Sequence, residues 1–144
     1  EPGECSIDDA LAAPGRRVSW FGIRNYQARN FMRDDMTIGD AVLFYHSSCA
    51  KPGIAGIARI ASDVYPDELQ FDPESEYYDP KSTKENPRWL TLDVEALFKC
   101  TVVEIGRLRE EPELAGMRVL QKGNRLSITP VEKEEFAFIV RNLL

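Results

Sequence analysis

Histidine is almost absent: His46 is the only one in 144 residues. A multi-histidine metal site is therefore excluded, and a serine–histidine–aspartate triad has one candidate base at most. Cysteine is sparse too. Cys5, Cys49 and Cys100 contain no C-x-x-C unit and, being three, do not all pair within one chain. Free thiols in a reducing compartment are the expectation. No apolar run approaches the ~20 residues that span a bilayer, and no charged stretch followed by an apolar one opens the chain. Neither a membrane segment nor a secretion signal is expected. Excess positive charge is missing as well: 18 Lys and Arg against 24 Asp and Glu leave a net charge of −6. That argues against a protein that coats nucleic acid non-specifically, since neutralising phosphates needs clustered cations. It leaves open a pocket that reads a single base. The sequence also lacks G-x-x-x-x-G-K-[ST], G-x-G-x-x-G and G-x-S-x-G, so no phosphate loop, dinucleotide fingerprint or nucleophile elbow is in view.

What is present suits one domain: 43% hydrophobic and 29% charged residues, at a length that buries roughly two-thirds of the unfolded surface. Ser6 to Asp9 has the form of a capping box, with Ile7, Ala10 and Leu11 as one apolar stripe that Pro14-Gly15 ends. Asn25 is a good N-cap for a second helix to about Asp34. Ala41 to Tyr45 reads as a strand buried on both faces. Gly53 to Ala61 is another, whose Gly53 and Gly56 admit a close backbone or ligand. Arg88 to Phe98 alternates, with Leu90, Leu92, Val94, Ala96 and Phe98 inward. Leu126 and Ile128 suggest a short strand. Thr129, Pro130 and Glu132 then predict a helix start, with Phe136, Ile139, Val140 and Leu143 as its apolar face. Between two strands, Asp63 to Asp79 carries seven acids and no base, with prolines at 66, 73, 80 and 87. Tyr65, Phe71, Tyr77 and Tyr78 give it something to pack, so it reads as one long ordered loop, a type that is often functional. Strands joined by short helices, without a βαβ rhythm, predict an α+β fold with a barrel-like sheet.

Two kinds of site are conceivable. His46 and Cys49 lie three apart, and a thiol–imidazole pair acting on a nucleotide-like ligand is one possibility, although no acid neighbours them in sequence to orient the ring. The other is recognition without catalysis. Arg24, Asn25, Tyr26 and Arg29 open a helix, where free N–H groups favour an anion. Asn and Gln offer the donor–acceptor pair that a base edge needs. Trp20, Tyr45 or Trp89 could stack on its plane, at ~1–3 kcal/mol per base. Each of these aromatics is equally at home as a core or loop anchor.

The stretch Arg24-Asn-Tyr-Gln-Ala-Arg-Asn30 resembles the most characteristic segment of the EVE domain family. Phe44-Tyr-His-Ser-Ser-Cys49, Pro52-Gly-Ile-Ala-Gly-Ile57, Tyr65-Pro-Asp67 and Gln70-Phe-Asp-Pro-Glu-Ser75 agree in order. So do Tyr78-Asp-Pro80, Pro87-Arg-Trp89, Asp93-Val94, Pro112-Glu-Leu-Ala-Gly-Met117 and Arg125-Leu-Ser-Ile-Thr-Pro130. The resemblance covers essentially the whole chain.

It implies a single domain over residues 1–144: a PUA-like mixed β-barrel flanked by short helices, related to ASCH and YTH domains. The implied function is non-catalytic recognition of a modified base in DNA or RNA. The implied ligand-binding residues are Trp20, Arg24, Asn25, Tyr26, Arg29, Tyr45, His46, Ser47, Tyr78 and Trp89, with the acidic loop walling the pocket. No catalytic residue, metal or cofactor is expected. The expected protein is an intracellular monomer, cytoplasmic in a bacterium or nuclear in a eukaryote. Family members begin with an inner strand ending in a Lys-Ser-Glu-Pro-like sequence, whereas this chain starts at Glu1-Pro2. The expectation is that residues precede Glu1 in the natural protein.

Overall fold

The computed structural model describes residues 3–124 and 126–144. The expectation about what precedes Glu1-Pro2, and Arg125 of the last family block, lie outside those residues.

Helix α1 (Ile7–Ala12) starts at Ser6, whose Oγ accepts from Asp9 N–H while the Asp9 carboxylate accepts from Ser6 N–H. This reciprocal cap satisfies two of the N–H groups a helix start leaves free. A short 3-10 turn (Pro14–Arg16) follows, its Gly15 at φ 63. Strand β1 (Arg17–Ser19) leads through a loop to α2 (Tyr26–Asp35), capped by Asn25 as the sequence predicts. Then come β2 (Ala41–His46), β3 (Gly53–Ile60), β4 (Tyr65–Pro66), β5 (Leu90–Thr91) and β6 (Asp93–Glu104). Helices α3 (Ile105–Arg109) and α4 (Lys133–Asn142) complete the chain, with 3-10 turns between them.

The fold is α+β, but the expected mixed, closed barrel is not found among the described residues. There is an open four-stranded sheet in the order β1-β6-β3-β2 and a two-stranded ribbon, β4-β5. Every pairing is antiparallel. β3 is a central strand and is buried along its length except at Arg59. Its glycines are there for close approach. A Cβ on Gly53 would stand 2.2 Å from the Val103 carbonyl oxygen, and one on Gly56 2.4 Å from that of Phe98.

Three expectations about strands need correction. β2 is an edge strand and only Phe44 is fully buried, so it is not sandwiched on both faces. β6 runs on to Glu104, and Phe98 is 48% exposed rather than inward. The reason is a bulge: Ile57 pairs with Phe98 while the next residue, Ala58, pairs with Ala96, so one extra β6 residue flips the alternation. Leu126 to Ile128 form no strand, although Ile128 still packs against the core. The last helix also begins later than Thr129. Its N-cap is Glu132, which closes a capping box with Glu135, and Thr129 to Val131 lie ahead of the helix. Ile139 is buried as expected but Val140 is exposed.

The core has three clusters. Ile7 and Ala10 of α1 pack on Phe44, Ala55, Ala58 and Ala96. Ala28 and Met32 of α2 pack with Ile23, Ile60, Leu92 and Val94. Leu108, Leu114, Met117 and Ile139 cover Ile54 and Val103. Burying whole side chains of this size contributes about 1.5–3 kcal/mol each.

Candidate functional site

The acidic segment is ordered, and two buried polar residues dock it. Gln70 is fully buried. Its Nε2 donates to the carbonyls of Asp67 and Trp89, both at 2.8 Å. Its Oε1 accepts from Arg88 N–H at 3.1 Å and Trp89 N–H at 3.0 Å. Asp67, 2% exposed, holds the loop between β1 and α2. Its Oδ2 accepts from Gly22 N–H at 2.9 Å and from Arg24 Nη1 at 3.0 Å, and its Oδ1 accepts from Leu69 N–H at 3.0 Å. Burying a carboxylate this deep is costly unless such donors replace water. Arg24 also reaches the Tyr77 carbonyl through Nε, leaving its buried Nη2 without a partner among the described residues. Gly22 has φ +83, and a Cβ there would meet the Tyr77 ring at 2.8 Å, so the turn and the contact both call for glycine.

Beside this loop opens a broad cleft of about 1630 Å³ among the described residues, wide open to solvent. Its lining includes Trp20, Phe21, Gly22 and Tyr77, residues Ala41 to Tyr45 of β2, and residues from the stretches 119–124 and 126–133. Trp20 is half-buried and meets Phe44 edge-on at 5.3 Å. Phe21 is 42% exposed at the rim, edge-on to Tyr77 at 6.0 Å. Tyr45 is half-buried, and burial pushes its phenol pKa up, keeping it a neutral donor. Arg109, Asn124, Ser127 and Thr129 add polar groups to the lining.

A second cluster lies outside the cavity's lining. The Tyr26 ring stacks on Trp89 with centroids 4.7 Å apart and planes 29° from parallel. The Arg29 guanidinium lies 4.6 Å from the Tyr26 centroid, and that of Arg24 5.6 Å from Trp89. Trp89 is buried at 6% exposure, its Nε1 donating to Asp79 Oδ2 at 2.7 Å, whereas Tyr26 is 48% exposed.

The family profile described as EVE domain matches residues 1–142. The chain belongs to the EVE domain family. Human thymocyte nuclear protein 1 is 39% identical over 143 residues, covering 94% of this chain and 63% of that protein. An uncharacterized fission-yeast protein, C21.03c, is 40% identical over 135 residues, 91% of this chain and 56% of its own. The EVE chain thus spans less than two-thirds of the length of these relatives. Among solved structures, a Pseudomonas putida protein superposes with a TM-score of 0.90 at 46% identity, covering 98% and 93% of the two chains. Human THYN1 protein in complex with 5-methylcytosine-containing DNA gives 0.88 at 39% identity, covering 94% and 84%.

In this EVE domain the ten residues expected at the site divide. Trp20, Tyr45 and Ser47 line the cavity; Arg24, Asn25, Tyr26, Arg29 and Trp89 gather in or beside the stacked cluster. Asn25 Oδ1 accepts from Ala28 N–H at 3.1 Å, so its oxygen is used as a cap. Tyr78 is 41% exposed and lines neither; its neighbour Tyr77 is the one in the cavity wall. His46 is turned toward α1, its Nε2 accepting from Ile7 N–H at 3.0 Å. Cys49 Sγ lies 3.9 Å from the His46 carbonyl oxygen, not on the ring, and no thiol–imidazole bond forms among the described residues. No group of three or more potential metal ligands occurs among them either, and no helix is long and apolar enough to cross a membrane. Sequence reasoning missed Phe21, Tyr77, Asp67 and Gln70. Asp67 and Gln70 sit inside the family blocks, but one acid among twenty-four carries no sign of burial.

Proposed function

We propose that this EVE domain acts as one non-catalytic unit, a monomer that binds DNA and admits a single modified base, such as 5-methylcytosine, into the cavity beside Trp20. The observation that carries the reading is the preorganised aromatic end of the cavity. Trp20 and Phe21 stand on a loop that the buried Asp67 carboxylate holds through Gly22 N–H and Arg24, and Tyr77 packs on that loop from the acidic segment. Aromatic walls fixed before binding lose little entropy on taking up a base, and stacking accepts any base with a π face. Selection then comes from the edge. A 5-methyl group placed against an aromatic wall adds about 1 kcal/mol of apolar burial, roughly a fivefold preference over cytosine. The complex of the human relative with 5-methylcytosine-containing DNA supports the same reading.

A fluorescence-anisotropy titration tests it, using one DNA duplex with cytosine or 5-methylcytosine at a single position and an RNA of the same sequence. Tighter binding of the methylated DNA is expected. Equal affinity for the two duplexes would refute modified-base reading, and tighter binding of the RNA would refute the choice of DNA.

A further inference from the structure

We propose that the Tyr26–Arg29–Arg88 face, outside the cavity, clamps the sugar–phosphate backbone of the strand that delivers the base. This rests on the reading of the cavity as the base site. The face carries two arginines, Arg29 and Arg88, on a chain of net charge −6. Arg29 spends its donors on neutral acceptors: the Asn30 side-chain oxygen at 3.1 and 2.8 Å, and the Arg88 carbonyl at 2.8 Å. Neither Arg29 nor Arg88 enters a salt bridge among the described residues, while Arg24 and Arg33 are paired with Asp67 and Asp34. Lys81 and Arg88 lie near Asp79, lowering its pKa after the Trp89 and Lys81 hydrogen bonds, and Arg29 acts similarly but weakly on Asp34.

Geometry suits the same partner. Arg29 is fixed by its bonds and by the Tyr26 ring, which rests on a Trp89 that Asp79 anchors. A guanidinium held in place this way loses little freedom on meeting a phosphate. Tyr26, 48% exposed, has a hydroxyl without a partner among the described residues and can donate to a second phosphate. The face also lies at the right reach. Gly22 lines the cavity and Tyr26 is four residues on. Four residues extend to ~14 Å at most, which keeps the two within a few nucleotides of one strand at a 3.4 Å rise per phosphate along the duplex axis.

The test is a salt series of anisotropy titrations with methylated and unmethylated versions of one duplex. It compares wild type, Arg29→Gln, Arg88→Gln and the double variant, each checked for folding by circular dichroism. Arg88 makes no side-chain hydrogen bond among the described residues, so Arg88→Gln tests the clamp even if Arg29→Gln misfolds. The expected result is weaker binding of both duplexes by the same factor. The slope of log affinity against log salt should shrink by about 0.9 for each phosphate that is no longer neutralised, and the preference for the methylated duplex should stay. Unchanged affinity and slope would overturn the clamp, as would loss of preference with the slope intact. A wild type that binds both duplexes equally would remove the base reading but leave the clamp standing if the variants still lower the slope. Failure to bind either duplex would remove both.

Discussion

Gln70→Leu isolates the contribution of one buried amide to the whole site. Leucine fills a similar volume, so the change removes hydrogen bonds without opening a large cavity. Four bonds disappear. The two carbonyls keep partners: Asp67 still accepts from Gln70 N–H, and Trp89 still accepts from Asp67 N–H. Arg88 N–H keeps Ser82 Oγ at 3.3 Å. Trp89 N–H has no other partner among the described residues and is left buried and unsatisfied. One orphaned donor costs ~1–3 kcal/mol and three weakened groups ~0.5–1 kcal/mol each, for a total of about 2.5–6 kcal/mol. At roughly 3 °C per kcal/mol for a domain of this size, Tm should fall by about 8–18 °C. Thermal unfolding followed by circular dichroism measures it. A loss below about 3 °C would refute the argument that Gln70 is what docks the acidic segment.

Asn25→Asp keeps the cap oxygen and adds a negative charge at a helix start, so Tm should hold within about 0.5 kcal/mol equivalent. The same charge beside the cationic face should weaken DNA binding several-fold; wild-type affinity would remove Asn25 from the neighbourhood of the strand. Gly56→Ala places a Cβ 2.4 Å from the Phe98 carbonyl oxygen, and the resulting backbone displacement should cost on the order of 3 kcal/mol, read as a lower urea midpoint. His46 has its pKa lowered from 6.5, chiefly by burial, and its neutral Nε2 accepts from Ile7 N–H. The unfolded chain therefore binds the proton more readily than the folded one. This stabilisation is complete above about pH 6.5 and is lost as pH falls below that value toward the folded pKa. Between pH 7.5 and 5.5 the wild type should lose more Tm than His46→Gln does, and equal losses would refute the link. Cys49→Ser should leave DNA affinity within a few-fold, and nucleotide turnover that vanished in both Cys49→Ser and His46→Ala would make this an enzyme instead.

Local rules carried the sequence a long way. The Ser6 and Asn25 caps follow from short-range chemistry, which neighbouring residues already contain, and Gly53 and Gly56 mark a close approach whose partners, Val103 and Phe98, lie far along the chain. Family membership was legible as well, because it rests on ordered blocks of identity rather than on contacts. What depended on distant residues was not. The bulge that turns Phe98 outward arises from how β3 and β6 fit, not from the period of either strand. The late start of α4 is a decision of packing in the same way. The site shows the difference most clearly. Residues adjacent in sequence, Trp20 and Phe21 against Asn25 and Tyr26, end in two places: an aromatic-walled cavity and a separate cationic stack. Asp67, forty-five positions beyond Gly22, holds the loop between them. A chain's composition records that a carboxylate exists; only burial against the Gly22 and Arg24 donors makes it the anchor of that loop.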